Sequence, residues 1–155
     1  MRHLTIFTAL LIALNVNGQY DDPCTENFAT ITASYIAPKS VGLGADYFTE
    51  IGLTAGLGSV YTFPKSYVLK QGENEYQMQT NSFDIYAYVG WRLLRIDYTV
   101  SVFGNLGYTM GDVEKFQPFT SLKVLFPIGQ KAFSVEPVYV VGRGLTGKLS
   151  FHIKL

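Results

Sequence analysis

From Ile51 to Phe63 the chain alternates without a break. Ile51, Leu53, Ala55, Leu57, Ser59, Tyr61 and Phe63 share one parity; Gly52, Thr54, Gly56, Gly58, Val60 and Thr62 share the other. Successive side chains of a β-strand point to opposite faces, so this run reads as a strand whose two faces meet different surroundings. Period two recurs over most of the remaining sequence. Strands are expected at Phe28–Ala37, Val41–Tyr47, Ile51–Phe63, Phe83–Arg92, Ile96–Tyr108, Pro118–Phe126, Phe133–Val141 and Leu145–Leu155. Turns fall at Pro38-Lys39-Ser40, Phe48-Thr49-Glu50, Leu93-Leu94-Arg95, Gly129-Gln130-Lys131 and Gly142-Arg143-Gly144, with a further loop around Gly111-Asp112 and Glu114-Lys115. Pro64 to Asn81 is polar, contains Gly72 and reads as a long loop. Pro137 removes a ladder donor from the seventh segment, which predicts a bulge there.

The contents of the two faces decide what such a sheet closes around. One face carries Ile, Leu, Val and Tyr; the other is rich in Gly, Thr and Ser, including Thr30, Thr32, Ser34, Gly42, Gly44, Gly56, Gly58 and Ser101. Small residues suit the crowded concave side of a tightly curved sheet, and bulky apolar ones suit a convex side against lipid. Eight strands make a barrel whose interior side chains just fill. The expected class is therefore all-β: an eight-stranded antiparallel up-and-down transmembrane β-barrel spanning 28–155. Asp46, Asp84, Arg92, Asp97, Lys123, Glu136, Lys148 and His152 lie on the small-residue face and are expected to form a lumenal charge network. A cation in the middle of the lipid face would cost about 2–4 kcal/mol, whereas inside a barrel opposite charges can pair. Two aromatic belts are expected: Tyr47, Phe48, Trp91, Tyr98, Phe126 and Phe133 at one end, and Tyr61, Phe63, Phe83, Tyr108 and Phe119 at the other.

The bulk properties agree. The chain is 48% hydrophobic and 15% aromatic, yet beyond its N-terminus it has no apolar stretch long enough for a membrane helix. Twelve basic and 12 acidic residues give no net charge and nothing that favours nucleic acid. Residues 1–18 have the layout of a secretory signal: Arg2 and His3, an apolar run from Leu4 to Leu14, then Val16 and Gly18 at the positions a signal peptidase reads. Cleavage is expected after Gly18, leaving a short tail over 19–27. Cys24 is the one cysteine, so no internal disulfide is available, and the polar residues before it argue against a lipoprotein. With an even strand count both chain ends share a side, expected to be periplasmic, and the long connection falls on the outer side.

Val41-Gly42-Leu43-Gly44-Ala45-Asp46-Tyr47-Phe48 and Ile51-Gly52-Leu53-Thr54-Ala55-Gly56-Leu57-Gly58 resemble the first-turn region of small outer-membrane barrels of the OmpX type and the membrane domain of OmpA. The resemblance covers roughly residues 28 to 155, with strand count, turn asymmetry and the alternating last strand as its basis. The Asn17-Gly18 ending of the signal before Gln19 looks like those of Bacteroidota. Such barrels commonly end in an aromatic residue, where this chain has Leu155, and Pro137 is a second departure. The resemblance implies an integral outer-membrane protein.

Enzyme chemistry is not expected. His152 is the only histidine left after signal removal; Ser150 is its same-face neighbour, and no acidic residue lies near it in sequence. A hydrogen bond to a lumenal Asp or Glu is the expected role. One His and one Cys give no metal-ligand cluster, and the glycines of Gly52–Gly58 sit on a strand rather than in a phosphate loop. No cofactor is expected. The expected partners are the outer-membrane bilayer and a surface or envelope protein, the latter through Lys65, Tyr67, Lys70, Glu73, Glu75 and Tyr76 of the long connection. Two alternatives stand beside this: a narrow channel for small solutes, and a soluble exported lipocalin-like barrel with its apolar face turned inward around a small apolar ligand.

Overall fold

The structure is a computed structural model that describes residues 27–71, 74–96, 100–111 and 116–155, with side chains except at 65–71 and 74–80. The signal segment, Cys24, Glu73, Asp97 and Tyr98 lie outside the described residues. Eight strands follow one another: β1 (Phe28–Ile36), β2 (Ser40–Phe48), β3 (Leu53–Gln71), β4 (Asn74–Ile96), β5 (Val100–Gly111), β6 (Gln117–Ile128), β7 (Lys131–Val140) and β8 (Gly144–Lys154). Each pairs antiparallel with its neighbour, and β1 pairs with β8, so the sheet closes into an up-and-down barrel. The start of β1 and the end of β8 lie at one rim, the terminal end. The β3–β4 connection marks the opposite rim, the hairpin end. At the terminal end, Gly129 has φ +60° in the two-residue link between β6 and β7. Tight hairpins need that sign of φ, and glycine supplies it without a Cβ clash.

The alternation is realised with the apolar face outward. Ile31, Leu43, Leu57, Val89, Leu106, Leu122, Val135 and Ile153, one from each strand in order, are between 38% and 68% exposed. Thr30, Thr32, Ser34, Asp46, Thr54, Ser101, Lys123, Ser134 and Ser150 are buried in the lumen. A lipocalin-like carrier needs the reverse, with Leu53 and Leu57 turned inward; both are exposed. Tyr47, Trp91 and Phe126 face outward near the terminal end, and Tyr61, Phe63, Phe83 and Tyr108 near the hairpin end. Phe48 and Phe119 do not join these belts: both share the inward parity of their strands and are buried.

Three expectations about connections are corrected. Residues 64–71 and 74–81 are strand and not loop. β3 and β4 run on past the barrel as a hairpin, with Lys65↔Thr80, Tyr67↔Met78, Leu69↔Tyr76 and Lys70↔Glu75 in register. The shift between Thr62 and Lys65 marks where the hairpin leaves the barrel, because β2 stops pairing at Thr62 and β5 at Asp84. Leu93-Leu94-Arg95 is not a turn but part of β4; Leu93 is an extra residue between the pairs Arg92↔Phe103 and Leu94↔Val102. A one-residue bulge absorbs the break in alternation that two adjacent leucines create. At Pro137 no bulge forms. Register is the same on both sides of the gap between Ser121↔Val138 and Val124↔Val135, so the proline costs ladder pairs without shifting the strand.

Candidate functional site in the barrel lumen

Three layers fill the lumen, beginning at the terminal end with aromatic rings. Phe28 and Phe48 stack with centroids 4.8 Å apart, and Phe103 meets Phe48 edge-on at 5.3 Å. Leu125 and Ala132 complete the layer, and all five are buried. Sequence reasoning put Phe48 at the lipid interface because aromatics near strand ends suggest belts. Parity, which it shares with Asp46, is the better guide.

A polar layer lies directly above. Lys123 Nζ is 3.0 Å from Asp46 Oδ2 and donates to the Tyr88 hydroxyl, which itself donates to Asp46 Oδ1 at 2.7 Å. Lys123 is fully buried, and its ammonium sits 4.6 Å from the centroid of the Tyr88 ring. Glu136 Oε1 accepts from Ser121 Oγ and from Asn105 Nδ2 at 3.2 Å. Lys148 Nζ is 3.4 Å from Glu136 Oε2, an ion pair without hydrogen-bond alignment, and lies 4.6 Å from the Tyr86 ring centroid. Buried charges are tolerated when paired and hydrogen-bonded; Asp46 and Lys123 are, while Glu136 Oε2 is paired with Lys148 but has no hydrogen-bond partner.

Glycines of β2 and β3 make this layer possible. Gly56 and Gly58 are the register partners of Tyr88 and Tyr86. A Cβ at Gly58 would lie 2.6 Å from the Tyr86 hydroxyl, and one at Gly44 2.7 Å from it. The small-residue stripe is therefore the seat of two tyrosines that cross the lumen from β4.

His152 joins the layer from β8. Its Nδ1 is 3.3 Å from Asp46 Oδ2 and its Nε2 is 2.8 Å from Ser134 Oγ. The serine at its side is Ser134 of β7 and not Ser150, whose hydroxyl has no hydrogen-bond partner. Serine, histidine and aspartate in this order are the parts of an acyl-transfer triad. Here Ser134 and His152 are 0% and 1% exposed, and the same aspartate oxygen also holds Lys123. A nucleophile needs room for a substrate carbonyl, and this serine has none. The constellation ties β2, β7 and β8 together.

The third layer, toward the hairpin end, contains a half-open cavity of about 470 Å³. Its floor is Tyr88, Tyr86, Glu136 and Lys148, and its walls include Ile36, Val60, Phe119, Val138 and Val140. At its rim Arg143 grips Asp84, with Nη1 2.7 Å from Oδ2 and Nη2 3.4 Å from Oδ1.

The structure thus brings together Asp46, Lys123, Glu136, Lys148 and His152 of the expected charge network. Asp84 stands apart from them at the rim with Arg143, which sequence reasoning left in a turn. Arg92 lies at the terminal end, where Nη2 donates to the Glu50 carbonyl at 3.0 Å and its side chain packs on Gly52. The bulge that follows it makes Arg92 the last residue in step with the lumenal parity. Lys65, Tyr67, Lys70, Glu75 and Tyr76 lie on the hairpin strands. Tyr86, Tyr88 and Asn105 share the lumenal parity of their strands, but no signal in the sequence marks them, Ser121 or Ser134 as members of a site. No group of three or more metal-ligating side chains occurs among the described residues.

The barrel is similar to a designed transmembrane β-barrel. That solved structure, described as "De novo design of transmembrane beta-barrels", has a TM-score of 0.52 and 12% identity over 83% of this chain and 95% of its own. At that identity the likeness concerns the fold alone. No family model matches the chain, and no curated protein matches it.

Proposed function

We propose that the protein is an integral outer-membrane β-barrel of the OmpX and OmpA-membrane-domain type, exported by its N-terminal signal. Its lumen is plugged, and it serves envelope structure or surface interaction rather than catalysis. One observation carries the reading: large apolar side chains are exposed on all eight strands while Asp46, Asp84, Lys123, Glu136 and Lys148 are enclosed. Soluble proteins rarely expose apolar patches beyond a few hundred Å², and a continuous apolar girdle calls for lipid around it. The two outward aromatic bands and the likeness to a designed transmembrane barrel support the same reading. Against a channel stand the Phe28–Phe48–Phe103 layer and the fully buried Lys123 above it.

The hairpin supports an interaction role. Beyond Phe63 and before Asp84 its strands pair only with each other among the described residues, which leaves two backbone edges without a partner strand there. Extended edges of this kind bind other strands.

Membrane fractionation followed by gel electrophoresis with and without boiling tests the proposal. A detergent-extracted protein whose mobility changes on heating supports it. Recovery in the soluble periplasmic fraction overturns it.

A further inference from the structure

The cavity at the hairpin end is lined in a way the rest of the lumen is not. Deeper inward-facing positions combine polar residues such as Thr30, Thr32, Thr54, Ser101 and Ser150 with the packed Phe28–Phe48–Phe103 layer, and all of these are buried. At the mouth the inward positions of β1, β3 and β7 become Ile36, Val60, Val138 and Val140, each partly exposed to the cavity rather than packed away. The barrel's stability does not explain apolar side chains on an enclosed, solvent-wetted surface, since polar ones there would lose nothing. Ser40, Thr62, Thr109 and Thr146 line other parts of the wall, but water beside Val60, Val138 and Val140 has no side-chain hydrogen-bond partner there, and an apolar body that displaces it gains free energy. The volume, about 470 Å³, falls within the range of small-molecule sites.

The charges around the cavity define what enters it. At the rim Asp84 is engaged by Arg143 through two contacts, and at the floor Glu136 is engaged by Lys148. Each carboxylate facing the cavity already has a cation beside it, and the third lining cation, Lys39, is exposed at the mouth. A charged ligand would bring an uncompensated charge against apolar walls, which is costly. A neutral ligand would not. Its polar end has a place at the Lys148–Glu136 pair, whose 3.4 Å separation lacks hydrogen-bond alignment.

We infer that the hairpin end of the lumen is a binding site for a small uncharged amphiphile, with its apolar body against Val60, Val138 and Val140 and a hydroxyl at the Lys148–Glu136 pair. The site goes beyond the envelope role proposed above and does not require it.

Three congeners of equal size separate the charge classes: cyclohexanol, cyclohexanecarboxylate and cyclohexylammonium. The full chain, methyl-labelled at valine and held in lipid nanodiscs, is titrated with each and read by NMR. Cyclohexanol is expected to give saturable shifts at Val60, Val138 and Val140, while lipid-facing Val41 and Val89 respond only in proportion to bulk partitioning. The two charged congeners are expected to bind at least about tenfold more weakly. V138W and V140F fill the cavity and are expected to abolish saturation; two variants are used because either alone can disturb folding. Overturning results are the absence of saturable lumenal shifts, equal response to a charged congener, or saturation unchanged in both folded variants. Should the chain fail to enter nanodiscs, the same titration in aqueous buffer still reads the cavity, so the membrane reading and this inference fail separately.

Discussion

Tyr88 of β4 occupies the space that a side chain at Gly56 of β3 would need. The two are register partners, and a Cβ at position 56 would meet both the Tyr88 ring and Asp46 Oδ1. The ring in turn delivers its hydroxyl to Asp46, so a glycine on one strand fixes an ion pair contributed by two others.

Gly56→Ala is therefore expected to destabilise the barrel by about 1–3 kcal/mol, the usual range for overpacking a filled interior. Gly147→Ala is the control, because a Cβ there meets nothing within 4 Å. Urea unfolding in lipid vesicles measures both. Equal stabilities would show that Tyr88 moves aside freely.

Lys123→Met leaves Asp46 buried beside a neutral chain, and a loss of about 3–5 kcal/mol is expected, as for other broken buried pairs. Adding Asp46→Leu to Lys123→Met should recover much of that loss, since the unpaired charge is then gone. A double variant no more stable than the single one would locate the cost in packing and not in charge.

Leu106 is 68% exposed in the middle of β5. In a bilayer Leu106→Arg should cost about 2–4 kcal/mol, against almost nothing for a surface position in water. Vesicle-based unfolding of this variant thus measures what surrounds the barrel as well as how stable it is.

Planar bilayers carrying the wild-type protein are expected to stay at the lipid baseline, because rings and a buried ammonium close the terminal half of the lumen. Steady, sizeable current would mean that this layer parts.

Ser134 is expected to resist a fluorophosphonate probe in the folded barrel, despite its 2.8 Å contact with His152 Nε2. Labelling of Ser134, located by peptide mass spectrometry, would reveal a path to the serine and reopen an enzymatic reading.

Strands and faces were legible in the sequence because period two needs no knowledge of tertiary structure: Leu43, Leu57 and Leu106 point outward as their parity requires. Errors arose where local pattern and register disagree. The hairpin looked like a loop because Lys65, Lys70, Glu75 and Gln77 dilute the alternation of Tyr67, Leu69, Tyr76 and Met78, which emerges only when the two arms are set in register. Leu93-Leu94 looked like a turn because a bulge and a turn break alternation in the same way. The lumenal site was legible as composition, since Asp46, Lys123 and His152 share the inner face, but not as geometry. Which carboxylate meets which cation depends on closure of the ring of strands, and no spacing along the chain encodes that Asp46 meets both Lys123 and His152.

The pairing of β1 with β8, from Thr30↔Lys154 to Ile36↔Lys148, is the seam of the cylinder. Its two halves are the first and last pieces of the domain to be synthesised, so no intermediate lacking β8 can be a cylinder at all. Until the final eleven-residue strand arrives, Ile31, Ala33 and Tyr35 must wait with their backbone groups unmatched. Pairing of that seam and closure of the cylinder are therefore a single event.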